Sequence, residues 1–438
     1  MSSVLRTLCL CLSLLLLPPL AAATLTADDF SLLQRGTGNP GTTLLIVAGI
    51  DGDEPGGFHA AATLATRYQV SGGQLWIVPD LHARAILERV RGDINLKFAA
   101  IASDDPLFAP VERIKQLVTA AEVDLVINLH DGSGFYHPTR IDRQRNPWRW
   151  GQSIVIDQEE LPGVPFGELH RTAATTIKQI NQRARSATEF FQIKNMRTAT
   201  LPTTAAAPKS LSYFALRHGK PALSIEASKA HPVYLRTYYH LLALEALMTQ
   251  AGISFTRDFK LTPAAVDRVL REDARMTLAR GRIFLNLNAM RPELADFPLP
   301  AQADQTVAAD NPLISLQPEG EQYRIHYGNN RLALLHPRRV ELDPAPQPLT
   351  MTIDGVRQQV EPGGMVAVRS QVQVSPAADV RISVVGLDQD ETGDNGMVAF
   401  DKKALDPRAS IDRDGQLFRL EVYRAGLFSG MILLDFRS

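Results

Sequence analysis

Leu44-Leu-Ile-Val-Ala-Gly-Ile50 runs straight into Asp51-Gly-Asp-Glu54-Pro-Gly-Gly57. An unbroken apolar run bounded by turn residues reads as a strand covered on both faces, the kind that parallel sheets use. Two carboxylates three residues apart fall where that strand should end, and Pro55-Gly56-Gly57 turns the chain sharply into the next element. The pattern recurs twice. Val123-Asp-Leu-Val-Ile-Asn-Leu129 ends in His130, and Ala222-Leu-Ser-Ile225 ends in Glu226. In open α/β sheets ligands sit beyond the carboxyl ends of the strands, so Asp51, Glu54, His130 and Glu226 are expected to converge in one cleft. Each alone has an ordinary explanation, such as an acidic N-cap before a helix. Together they suffice to hold one zinc ion and to serve it with a general base.

Around these strand ends the chain alternates apolar runs with amphipathic stretches from about residue 24 to residue 252. Strands are expected at 43–50, 74–79, 125–129, 153–156 and 222–225, and helices at 57–68, 111–121, 166–185 and 234–250. The fold class is therefore α/β, with a mixed, mostly parallel central sheet flanked by helices. A further helix is expected over 263–280, opening at Thr262-Pro263 and reading as a linker. Beyond it, Pro and Gly clusters separate short alternating runs at 323–326, 331–335, 366–374 and 380–385, which predict one or two small all-β C-terminal domains. The expected division is a leader at 1–23, a catalytic domain at 24–255, the linker helix with a small β-rich domain at 256–340, and a β-sandwich-like domain at 341–438.

The leader carries Arg6, a Leu-rich stretch from Leu8 to Leu17, and Pro18-Pro-Leu-Ala-Ala-Ala23, the order of a secretory signal peptide. The stretch is shorter than the roughly 20 residues that span a bilayer, and nothing later is long enough, so no membrane span is expected after cleavage and the protein is expected in the periplasm. Both cysteines, Cys9 and Cys11, lie inside the leader, so nitrogen and oxygen ligands must hold any metal. A net charge of −1 without a basic run gives no pull toward nucleic acid.

Gly49-Ile-Asp-Gly-Asp-Glu-Pro-Gly-Gly57, Asn128-Leu-His-Asp-Gly-Ser-Gly-Phe-Tyr136 and Ser224-Ile-Glu-Ala227 together resemble the zinc metallocarboxypeptidase superfamily. Within it the chain is most similar to the bacterial helical-cell-shape branch, DL-carboxypeptidases that trim peptidoglycan stem peptides. The resemblance spans about residues 43–252. It implies zinc ligation by Glu54 and His130 and a general-base role for Glu226. Asp51 stands where the superfamily usually has His, a departure that leaves the ion less positive character than a His/Glu/His set would. The resemblance also implies an arginine that polarises the scissile carbonyl and an Asn-Arg pair that grips the substrate carboxylate. Asn95 fits the first member of that pair, but Leu96 replaces its arginine. Arg91 is the expected catalytic arginine, Arg84 an expected carboxylate contact, and Tyr136, in the glycine-flexible loop after His130, a substrate contact.

The function so implied is hydrolysis of the C-terminal amide of a peptidoglycan stem tripeptide, releasing meso-diaminopimelate, with stem peptides as partners and the β domains offering a surface to cell-wall proteins. Two alternatives stay open at this point. One is a zinc deacylase of the aspartoacylase or succinylglutamate desuccinylase kind. The other is a wall-peptide-binding protein that has lost catalysis, to which Asp51 and Leu96 lend support.

Overall fold

A computed structural model of the protein describes residues 29–38, 41–201, 204–272, 274–301, 306–387 and 397–437. The leader expected at 1–23 lies outside them.

Seven strands form the central sheet of the N-terminal half. They are β1 (Leu33–Gly36), β2 (Thr43–Val47), β4 (Gln74–Val78), β5 (Leu125–Gly132), β8 (Ser153–Ile156), β9 (Gln192–Asn195) and β10 (Ala222–Ser228), arranged β1-β4-β2-β5-β10-β8-β9. The four central strands β4, β2, β5 and β10 run parallel. Antiparallel pairings of β1 with β4 and of β8 with β10 make the sheet mixed, as expected. Every residue of β2, β5 and β10 is buried, which accounts for their uninterrupted apolar character. The remaining short strands of this half are β3 (Tyr68–Gly72), paired with β11 (Ser254–Arg257), and β6 (Phe135–Tyr136), paired with β7 (Arg145–Asn146).

Helices α1 (Pro55–Arg67), α3 (Phe108–Thr119), α4 (Leu169–Asn181) and α6 (Val233–Gln250) correspond to the four expected from period, and the short α2 (Ala83–Glu88) and α5 (Leu211–Arg217) add to them. The seventh, α7, corrects an expectation. It spans Pro263–Glu272, not 263–280. The following Arg275–Leu278 is a strand, with Met276 and Leu278 buried on one face and Arg275 and Thr277 on the other. That period of two was hidden inside a helix-like spacing of apolar residues.

Two β layers follow. Arg275–Leu278, Ile283–Asn286 and Val307–Ala309 form one small sheet, and Glu293–Leu299, Ile314–Glu319, Gln322–Tyr327 and Asn330–Arg339 another. Their buried residues, Leu285, Phe297 and Ile325 among them, belong to the same contiguous apolar cluster as Leu44 to Val47. From Leu349 onward two four-stranded sheets stack face to face. Met351, Val372 and Phe400 from one meet Phe418, Leu420 and Ile432 from the other in a second, separate core. The expected strand at 366–374 is two strands: Met365–Ala367 pairs in one sheet and Gln371–Val374 in the other, so the chain crosses the sandwich at this corner. Among the described residues no helix is long and apolar enough to cross a membrane.

Candidate metal centre and substrate cleft

Side chains alternate across a strand, so Asn128 and His130 of β5 share one face, and so do Ser224 and Glu226 of the parallel neighbour β10. Register sets Asn128 beside Ser224 and His130 beside Glu226. The chain leaving β2 brings Asp51 and Glu54 to the same place. Asp51, Glu54, His130 and Glu226 are all buried and all line one cleft of about 310 Å³. Asp51, Glu54 and His130 each offer a ligand atom within 4.8 Å of the others, the one such group among the described residues.

Glu54 occupies the N-cap position of α1, yet its side chain makes no capping bond. It turns instead to β5, where Oε2 lies 2.8 Å from His130 Nδ1 and accepts from Asp131 N at 3.1 Å. Asp51 Oδ2 lies 3.6 Å from the same Nδ1, while Oδ1 is buried with no hydrogen-bond partner. A buried carboxylate oxygen without a donor is costly, and a cation would relieve it. Lys229 contacts the outer side of the group, with Nζ 3.3 Å from Glu54 Oε1 and 2.6 Å from Asp53 Oδ2.

His130 Nε2 lies 2.9 Å from Asn128 Nδ2, and Asn128 Oδ1 is itself buried and unpartnered. The two ends of a carboxamide are nearly isosteric. Turned over, Asn128 accepts from Nε2–H through that orphaned oxygen and leaves Nδ1 free to bind a metal, the second contact that metal-binding histidines characteristically make. The donor set thus fits a divalent ion held by Asp51, Glu54 and His130.

On the opposite face of β5, Asp131 holds the loop in place. It accepts from Gly56 N at 2.8 Å and from Arg236 Nη1 at 2.7 Å, and Oδ1 lies 3.1 Å from His240 Nε2, both partners being on α6. Burial works against its charge, but His240, Arg236 and the Gly56 amide outweigh it and hold the carboxyl below its ordinary range. A Cβ on Gly56 would lie 2.5 Å from Asp131 Oδ1, so only glycine allows this contact.

The second β layer also reaches the loop. Asn329 Nδ2 donates to Gly52 O at 2.9 Å, and the Asn329 carbonyl accepts from Arg89 Nε. Beside it Tyr327 stacks edge-on against His59, with ring centroids 5.0 Å apart.

Crowding shapes the charges. Burial pushes Asp51 up, His130 opposing and Glu54 adding to it. Burial alone would lower His130, but Glu54, then Glu226 and Asp51, push it up to about 9. Burial raises Glu226 to about 8, with His130 opposing and Glu54 contributing to the rise. Three carboxyls crowded around one imidazole are the environment that an added cation stabilises.

The remaining sequence-derived residues divide. Arg91 lines the cleft with its side chain 77% exposed and Nε 4.0 Å from Asp51 Oδ1. Asn95 also lines it, its Oδ1 accepting from Leu211 N at 3.1 Å, and Leu96 lies beside it. Arg84 is exposed on α2 and is not part of the lining. Tyr136 faces a neighbouring hollow of about 260 Å³, its ring 4.3 Å from Lys194 Nζ. Residues not singled out in the sequence include Asn128, Asp131 and Lys229. Asn128 stands two residues before His130 on the same face of β5, and that period of two was the available signal; Asp131, on the opposite face, carried none.

The M99 peptidase family, carboxypeptidases controlling helical cell shape, matches residues 30–271 with its catalytic part, and the C-terminal domain of metallocarboxypeptidase matches residues 342–437. The chain belongs to the M99 family. It is a metallocarboxypeptidase with a buried Asp/Glu/His group. Among solved structures it is similar to the cell shape determinant Csd4 of Helicobacter pylori. The tripeptide-bound form shares 32% identity over 93% of this chain and 100% of that one, with a TM-score of 0.82. The form bound to mDAP, described as a D,L-carboxypeptidase, shares 32% identity over 92% and 99%, with a TM-score of 0.83. No curated protein sequence matches the chain. Family membership decides against the deacylase alternative.

Proposed function

We propose that this M99 protein is a zinc-dependent D,L-carboxypeptidase that removes meso-diaminopimelate from the tripeptide stem of peptidoglycan and so shapes the cell wall. The observation that carries the reading is Glu226 in register beside His130, buried in the cleft that Asp51, Glu54 and His130 also line. The likeness to Csd4 forms bound to tripeptide and to mDAP supports the substrate. The leader at 1–23 supports export to the periplasm, where that substrate lies.

Asp51, Glu54 and His130 would hold the ion, which would supply a Lewis acid for the scissile carbonyl and lower the pKa of the attacking water toward neutral. Glu226 takes the proton of the attacking water and delivers it to the leaving amine. Burial keeps the Glu226 carboxyl high, with His130 opposing the rise and Glu54 adding to it. Arg91, on the rim and long enough to reach inward, meets the charge that develops on the carbonyl oxygen or the substrate carboxylate. Asn95, fixed by the Leu211 amide, lines the wall where that carboxylate lies.

Mass spectrometry of tri-, tetra- and pentapeptide muropeptides, incubated with the zinc-loaded protein and with Glu226→Gln, tests the reading. Loss of diaminopimelate from the tripeptide with the native protein alone is the expected result. Intact tripeptide with zinc fully bound would sink it.

A further inference from the structure

The cleft has a far end that neither the metal group nor Glu226 occupies. β8 runs antiparallel to β10, with Ser153 opposite Glu226 and Val155 opposite Ser224. Asp157 follows directly after β8, four residues beyond Ser153 and so about 13 Å along the strand at roughly 3.3 Å per residue. Between the two ends, Val155, Met196 and Ala207 pack together against Trp150, and all four line the cleft as an apolar throat.

Asp157 also lines the cleft and is only 3% exposed. Its carboxylate accepts from the Thr198 hydroxyl on one oxygen and from Ser212 Oγ at 2.9 Å on the other. Both donors are neutral, and no basic side chain contributes to its environment. Burial raises its pKa, and the two hydroxyls recover only part of the rise. Each carboxylate oxygen can accept a second hydrogen bond. A buried acid facing a cavity with spare acceptor capacity and no counter-cation is half of an ion pair.

We infer that Asp157 is the foot of a specificity subsite that takes a primary ammonium group at the end of the aliphatic arm of the released residue. The inference rests on the carboxypeptidase reading for the orientation of the ligand. The residue's amide nitrogen lies at the metal end, its methylenes fill the throat formed by Val155, Met196 and Ala207, and its distal ammonium reaches Asp157. An arm of five bonds of about 1.5 Å each covers roughly 6 Å, and with the reach of the two side chains from their strands this spans the interval. Diaminopimelate carries such an arm, with an amino group at its far centre.

Calorimetric binding of free meso-diaminopimelate and of 2-aminopimelate, which keeps the arm and the end carboxylate but lacks the distal amine, tests the subsite on the zinc-loaded protein and on Asp157→Asn. Native protein is expected to bind the diamine about ten- to a hundredfold more tightly, the range of a hydrogen-bonded charge. In Asp157→Asn the ratio should fall to within about threefold. Equal affinities in the native protein, no binding of either ligand, or an unchanged ratio in the variant overturns the assignment. The native comparison needs no variant, so it stands even if Asp157→Asn misfolds. Hydrolysis of the tripeptides ending in each residue is measured alongside. Discrimination in binding without hydrolysis of either peptide would refute the carboxypeptidase reading and leave the ammonium subsite standing.

Discussion

Replacing Glu226 with glutamine should separate what this carboxyl does for catalysis from what it costs the fold. In the metal-free protein the group is lifted from 4.5 to about 8, chiefly by burial. Keeping this proton at pH 7, where the unfolded chain has released it, therefore costs the folded chain on the order of 3 kcal/mol. The sign follows from proton uptake: a carboxyl raised in the folded state binds its proton more tightly there, so stability is lost as pH climbs from 4.5 through 8. Glutamine keeps the shape and removes the titrating proton. It also removes the attraction that helps keep His130 protonated, so the net gain is about 1–2 kcal/mol, a few degrees in melting temperature. Turnover should fall by about 10²–10⁴, the contribution of a positioned general base. Calorimetric melting after chelation checks the first half. Glu226→Gln should melt above the native protein at pH 7.5, and the difference should shrink to under about 1 kcal/mol at pH 5. A difference independent of pH, or hydrolysis within tenfold of native, would refute the reasoning.

Three further outcomes are expected. Asn128→Ala should weaken zinc binding about 10–100-fold through lost orientation of His130 while circular dichroism stays unchanged, as read by competition with a chromophoric chelator. Zinc affinity should rise with pH toward about 9, where the His130 imidazolium loses its proton, by as much as about tenfold per pH unit. Flat affinity between pH 6.5 and 8.5 would remove His130 from the ligand set. In Gly52→Ala the new Cβ would stand 1.8 Å from Ala85 O, so the loop must shift and metal binding should be lost even where the rest of the protein folds.

The sequence was most legible where burial is complete on both faces. β2, β4, β5 and β10 announce themselves as apolar runs, and β8 was placed at its observed bounds. The edge strands β1 and β9 escaped because edge positions tolerate residues such as Gln34, Arg35, Gln192 and Lys194. The Ala265, Val266 and Val269 spacing that marks α7 runs on into Met276, and nothing local signals the change to a strand, whose pairing with Ile283–Asn286 and Val307–Ala309 is a tertiary event. Asp51, Glu54, His130 and Glu226 were legible because each follows, or ends, a run that can be recognised alone. Asp131 and Asp157 were not, because their roles depend on Arg236, His240, Thr198 and Ser212, partners that only the folded chain brings near.

The hairpin that carries Asn329 has a temporal consequence. During synthesis the first half of the chain can complete its sheet and bring Asp51, Glu54 and His130 into proximity long before residue 329 leaves the ribosome. Until then the Gly52 carbonyl lacks its Asn329 donor, and His59 lacks the Tyr327 ring against which it packs. The metal loop is therefore finished by a segment made some 275 residues after it, and a nascent or truncated chain ending at α7 would have the ligands of the centre without the brace that fixes them. Competence is tied to synthesis of about three-quarters of the polypeptide, which delays a wall-cutting activity until well after its ligands have been made.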